Sequence, residues 1–282
     1  MGNYKLPGPI CNILNFYDID TGTLCINASP IPGPIGEKHR KASKKKHSSH
    51  KKHHTHILLK PNMEIMSKIN FELNTKINFD KLADFEGGQL LTGYIPGHTV
   101  GKLFDVKKVA GQSGVTIGTG FDIGQWSISD LKLKLGLSLA LQDKYKRFCK
   151  KKKQAAIDEL EKNGALTVTK FEADESDMKV QRFHLIAAIA VWDEDPKPTQ
   201  KFTELTPAQQ TIILSRTYHQ GTGMPYTDLA EDFYQAAQAG NWVAAEKALR
   251  NYNVSANWYK TRVKQEADFL ASDLRNQKSN PR

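Results

Sequence analysis

Cysteine is scarce: the 282 residues hold three, Cys11, Cys25 and Cys149, and no two of them form a CxxC spacing. That scarcity excludes a dense disulfide framework and a cysteine-built zinc module, and it fits synthesis in a reducing compartment. A bridge between Cys11 and Cys25 stays open. Long apolar runs are missing too. No segment reaches the roughly 18 to 20 consecutive apolar residues that a membrane span requires. The opening MGNYKLPGPIC lacks a basic stretch followed by an apolar one, so no standard secretory leader is expected. Leu6 stands where a myristoylation site carries Ser or Thr.

Acidic residues are thin in one region. The formal charge is +10, and residues 1–60 hold 10 Lys or Arg against 3 Asp or Glu, which leaves the remainder close to balance. The excess belongs to a tract rather than to a folded surface. Three zones follow: residues 1–36 as a small module or docking segment, 37–62 as a basic His- and Lys-rich linker, and 63–282 as one folded domain. The first encloses NILNFYDIDTGTLCINAS between two copies of PGPI, where Pro favours extended backbone and DTG a turn. A hairpin-like docking element and an ordered stub both fit. The second zone has no periodic apolar positions and reads as solvated chain. His53, His54 and His56 offer nitrogens, but a flexible tract lacks the hydrogen bonds that orient metal ligands, so no metal site is expected. Incidental attraction to polyanions, such as nucleic acid or a bacterial envelope, suits it better.

The third zone reads as α+β and mostly helical, with a short β segment near its start. Thr169 to Glu172 forms a capping box, and Thr206, Pro207 and Gln209 combine a cap, an initial Pro and a reciprocal Gln. LTPAQQTIILSRTYHQG, DLAEDFYQAAQAG, NWVAAEKALRNY and ANWYKTRVKQEADFLASDL continue the helical pattern, with Gly240 as a stop. Trp192, Trp242 and Trp258 read as core anchors rather than sugar platforms.

Two segments carry chemistry. In NFDKLADFEGG, Glu86 follows Phe79, Leu82 and Ala83 at spacings of seven, four and three, so the carboxylate lies on the helix's apolar stripe. It also stands at the negative end of the helix dipole, just before Gly87 and Gly88. Both circumstances favour the protonated acid that general-acid chemistry needs. A Glu that merely pairs with Lys or Arg is the plainer alternative. In GVTIGTGFDIG, period two puts Val115, Ile117, Phe121 and Ile123 on one strand face and Thr116, Gly118, Gly120 and Asp122 on the other. The bare face reads as a floor for a ligand, with Asp122 on an open polar face and ordinarily ionised. A neutral Glu and an ionised Asp are the pair that glycoside hydrolysis uses. The glycines alone also fit a bulge, and only loosely a dinucleotide turn, for which no βαβ unit is visible.

DFEGGQLLTGYIP followed by GVTIGTGFDIGQ resembles the pesticin C-terminal-domain family of phage-lysozyme-like muramidases. The likeness extends through WSISDLKLKLGL, LTVTKFEADE and the later Trp-containing helices, from about Asn78 to Leu274. It implies a lysozyme-like fold, with a small β segment beside an active-site cleft and a helical C-terminal lobe. It further implies Glu86 as general acid, Thr116 as the hydroxyl that places water, Asp122 as second carboxylate, and Gly118 and Gly120 beneath the substrate. Arg262 is similar to the phage-lysozyme arginine that pairs with the catalytic acid, a pairing that opposes the raised pKa argued above.

The implied reaction is inverting hydrolysis between N-acetylmuramic acid and N-acetylglucosamine, with carboxyls about 6.5 to 9.5 Å apart and no cofactor. Expected partners are peptidoglycan strands, a cognate immunity or inhibitor protein, and a secretion machine engaged through residues 1–60, the chain itself being a monomer. Synthesis in a bacterial cytoplasm and action in the wall of target cells complete this reading. A phage endolysin with the same chemistry, or a noncatalytic binder of peptidoglycan or nucleic acid, are the alternatives.

Overall fold

The computed structural model describes residues 59–97, 99–100, 103–104, 109–194, 198–221, 231–252 and 257–279. The PGPI module, the His53 to His56 tract, Cys11 and Cys25 lie outside the described residues. The helices are α1 (Met63–Leu73), α2 (Phe79–Phe85), α3 (Ile128–Leu133), α4 (Leu139–Tyr145), α5 (Gln154–Asn163), α6 (Lys170–Glu194), α7 (Pro207–Gln220), α8 (Glu231–Gln238), α9 (Trp242–Arg250) and α10 (Asn257–Ser279). The strands are β1 (Leu90–Tyr94), β2 (Thr99–Val100), β3 (Leu103–Phe104), β4 (Thr116–Gly118) and β5 (Phe121–Asp122). Strands β1, β4 and β5 form one antiparallel sheet in that order, and β2 pairs with β3. This is the mostly helical α+β, lysozyme-like architecture. Among the described residues no helix is long and apolar enough to cross a membrane.

Among the described residues, Leu59 and Lys60 are already tied to the domain. Leu59 O accepts Gln89 N at 2.7 Å, Lys60 bridges Asp80 and Asp84, and Asn62 caps α1 through Glu64 N and Ile65 N. Both capping boxes read from the sequence are present. Thr169 N donates to Glu172 and Glu172 N to Thr169 Oγ1, while Thr206 and Gln209 exchange the same pair at the start of α7.

Two hydrophobic cores meet along α6. One gathers α1, α2 and α7 to α10 around Leu82, Ile212, Phe233 and Trp192, with Leu185 and Ala188 also from α6. Trp192 and Trp242 are buried there, stacked with centroids 6.1 Å apart, as their reading as anchors requires. The other gathers the three-stranded sheet and α3 to α5 around Ile117, Phe121, Leu141 and Tyr145, with Ala173 and Val180 from α6. At 1.5 Å per residue α6 is about 37 Å long, enough to serve both. The chain therefore leaves the first core after α2, builds the second, and returns through α6.

The stretch read as one strand is a hairpin. Thr116 pairs with Asp122 and Ile117 with Phe121, and the chain reverses at Thr119 and Gly120. Gly118 and Gly120 have φ of +60° and +82°, the left-handed backbone that this reversal demands and that L side chains resist. Period two survives because paired residues in antiparallel strands share a face. Val115, Ile117, Phe121 and Ile123 are accordingly all buried in the second core. The antiparallel pairing removes any βαβ unit from this stretch, and the dinucleotide alternative with it.

Candidate active site

Glu86 is the last residue of the α2 turn, placed by the apolar positions Phe79, Leu82 and Ala83, all buried. Its Oε1 accepts Arg262 Nη2 of α10 at 2.6 Å. Arg262 is held from behind: the same nitrogen meets Ser215 O at 3.1 Å and Ser215 Oγ at 2.9 Å, and Nε meets Glu266 Oε1 at 3.2 Å. Burial works against the guanidinium's charge, yet Glu86 and Glu266 outweigh it and hold Arg262 firmly protonated. With Oε1 committed, Oε2 is the oxygen turned to the hairpin. A Cβ on Gly120 would lie 3.1 Å from Glu86 Oε2 and 3.3 Å from Tyr218 Cε1. The bare backbone of Gly120 is what lets the acid sit against the sheet.

Across the sheet, register lines up three side chains. Tyr94 of β1 is the partner of Thr116 on β4, and Thr116 is the partner of Asp122 on β5. All three share one face. Thr116 is 2% exposed and donates a long 3.4 Å bond to Gly114 O. Asp122 departs from the open polar setting expected of it. Its carboxylate accepts Gly114 N, Gly124 N at 2.9 Å and Gln125 Nε2 at 2.9 Å, and caps the short 3-10 turn at Ile123–Gln125. Burial pushes its pKa up to about 6, although Gln125, the two backbone donors and Lys152 pull the other way. Three donors do not offset the partial desolvation of this carboxylate. An acid of that strength still ionises at neutrality and is a stronger base than an ordinary Asp.

The expected floor also needs correction at Gly118. That residue is buried, and a Cβ there would stand 2.4 Å from Asp177 Oδ1. Its missing side chain makes room for a carboxylate of α6 rather than for a sugar. Asp177 is fully buried and accepts Thr119 N at 2.8 Å, Thr119 Oγ1 at 2.6 Å and Gln89 Nε2 at 2.8 Å. Tyr218 of α7 completes the clamp by donating to Thr119 O at 2.9 Å. Burial raises Asp177 to about 6 against these same donors.

Sequence reasoning missed Asp177 and Tyr94. The phenol of Tyr94 is held neutral by burial and by the fields of Glu86, Asp122 and Asp177. It is therefore a hydroxyl donor close to both candidate acids. Its only sequence signal was the LLTGY run after Glu86, and its partner Thr116 becomes visible only once the register is known.

A Glu at a helix end, set against a small antiparallel hairpin that bears an Asp and a Thr in a mostly helical fold, is an arrangement that fits a lysozyme-type glycosidase. Residues 76–242 match the family described as Pesticin, bacterial toxin homologue of phage lysozyme, C-term, and the chain belongs to that family. A comparison with individually curated proteins finds no match.

Proposed function

We propose that this domain hydrolyses the β-1,4 bond between N-acetylmuramic acid and N-acetylglucosamine in peptidoglycan, with inversion at the anomeric carbon. The observation that carries the reading is the unequal use of the two Glu86 oxygens. Arg262 takes Oε1, and Oε2 faces the hairpin that bears Thr116 and Asp122. A proton on Oε2 goes to the departing glycosidic oxygen. Asp122 takes a proton from a water that Thr116 helps to place, and that water adds to the opposite face of the sugar. Electrons and protons balance: one bond to the anomeric carbon breaks, one forms, Glu86 is reprotonated from solvent, and Asp122 releases its proton to solvent.

The family's description as a bacterial toxin favours an antibacterial role over phage lysis. We place its action in the wall of target cells, with residues 1–60 as the element engaged for export and a small cognate inhibitor protecting the producer. The test is hydrolysis of purified peptidoglycan by wild type and Glu86→Gln, read as new reducing ends on released muropeptides. The substitution should abolish them, and equal activity in both proteins refutes the assignment. Proton NMR of the first anomer formed distinguishes inversion from retention.

A further inference from the structure

Glu86 is the outer end of a buried chain of four charges. Arg262 joins it to Glu266, and Glu266 Oε2 meets Arg216 Nη1 at 3.1 Å. Glu266 and Arg216 are both fully buried, and Arg262 is 4% exposed. The signs alternate and cancel: carboxylate, guanidinium, carboxylate, guanidinium. Ser215 Oγ donates to Glu266 Oε1 at 2.6 Å, and Tyr259 accepts Arg216 Nη2, so the two inner members are held by neutral groups as well.

A guanidinium against Glu86 by itself opposes general-acid work, because it favours the ionised carboxylate. We propose that Glu266 and Arg216 form a positioning pair that sets how strongly Arg262 holds Glu86. This rests on the reading of Glu86 as the acid. Glu266 draws Arg262 from behind and offsets its charge, and Arg216 in turn tempers Glu266. Neither residue touches the side of Glu86 that faces the hairpin. The inner pair is expensive to bury and offers little fold stability over apolar residues of the same size. Its electrostatic effect on Glu86 is what apolar residues could not supply.

Other ionisable groups lie around these residues, among them Tyr252 and Tyr259, whose rings pack against the Arg216 guanidinium. Tyr218 of α7 and Tyr94 of β1 both feel Glu86 and are held neutral, first by burial. Asp122 and Asp177 share with Glu86 an influence on Tyr94, and both are common to every variant below. His219, stacked on Tyr259, is kept neutral by burial and then by Arg262 and Arg216. Within this surround the pair Glu266 and Arg216 is the pair whose charges can be removed one at a time without touching Glu86.

The experiment uses the full chain and three variants, Glu266→Gln, Arg216→Gln and the double substitution. Removing the negative charge leaves two guanidiniums behind Glu86, so the alkaline limb of activity on peptidoglycan should move to lower pH by about one unit. That figure follows from charges about 6 Å apart at an effective dielectric near 20, reduced by relaxation. Removing Arg216 alone should move the limb to higher pH, and the double variant should return it toward wild type. Loss of packing alone would move both single variants the same way, or change kcat without moving the limb, and either result overturns the proposal. The carbon-13 titration of the Glu86 carboxyl, read in the folded proteins without substrate, provides a second measure. Opposite displacements there support the pair even if peptidoglycan is not the substrate, and unmoved titrations overturn it. Should one single variant fail to fold, the other single variant and the double variant carry the comparison: the surviving single substitution must displace the Glu86 titration in its stated direction and the double must cancel that displacement.

Discussion

Gly118→Ala tests the clamp that fixes the hairpin, and Gly136→Ala is its internal control. The two glycines have nearly the same backbone, φ +60° and +61°, so both substitutions carry the same left-handed penalty of about 1 kcal/mol. They differ in surroundings. At Gly136 the added methyl meets nothing closer than Lys179 Nζ at 4.0 Å, whereas at Gly118 it stands 2.4 Å from Asp177 Oδ1. That oxygen accepts Thr119 N at 2.8 Å inside the fold and has no free volume to enter. Asp177 must withdraw, and one hydrogen bond to a charged acceptor is worth about 1.5 to 3 kcal/mol. The expected losses are about 1 kcal/mol for Gly136→Ala and about 3 to 4 kcal/mol for Gly118→Ala. At about 2 to 4 °C per kcal/mol for a domain of this size, thermal unfolding followed by circular dichroism should fall by roughly 3 °C and roughly 10 °C. Activity at a temperature well below both transitions should also drop only in Gly118→Ala, because its hairpin tip carries Gly120 against Glu86. Equal losses in the two variants refute the clamp.

The remaining site residues give two further expectations. If Asp122 is the base, activity should fall as pH drops below about 6, and Asp122→Asn should remove that limb together with roughly 100- to 10,000-fold of kcat. The same raised carboxyl contributes stability that is complete below pH ~4 and lost as pH rises through about 6, so a urea series should show that slope flattened in Asp122→Asn. Tyr94→Phe removes a neutral hydroxyl from the row that holds Thr116 and Asp122 while keeping the ring. Its kcat on peptidoglycan should fall about tenfold or more with little change in melting temperature, and an unchanged kcat rejects a part for Tyr94 in placing water or sugar.

Local signals in the sequence survived wherever one segment held the whole reason for its structure. The stripe of Phe79, Leu82 and Ala83 predicts where Glu86 points, and the Thr–Glu and Thr–Gln boxes mark the first turns of α6 and α7, because each depends on residues three or four apart. The hairpin was misread because period two continues unbroken through a tight reversal when the paired residues keep their parity. Gly118 and Gly120 announced a special backbone without saying whether it served a ligand or a turn. Asp177 was hidden more deeply. Its helix buries Asp174, Ser176, Asp177 and Gln181 alongside Ala173 and Val180, so no apolar stripe sets the buried face apart. What decides that face is Thr119 and Gln89, which stand 58 and 88 residues away. The charge chain behind Glu86 is likewise nonlocal, with Arg216 and Glu266 on helices that look ordinarily amphipathic in isolation.

Glu86 and Arg262 are 176 residues apart, and the first core takes its walls from both ends of the domain. During synthesis the acid leaves the ribosome early, while its counter-ion arrives with the last helix. Until α10 docks, the first core lacks Tyr259, Val263, Ala267 and Leu270, and Ser215 and Arg216 have no Glu266 to meet. The second core, by contrast, is drawn from one continuous run of chain and can close sooner. Seating of Glu86 is thus tied to the synthesis and docking of α10, so a nascent chain that stops short of this helix holds the hairpin without the Glu86–Arg262 pair.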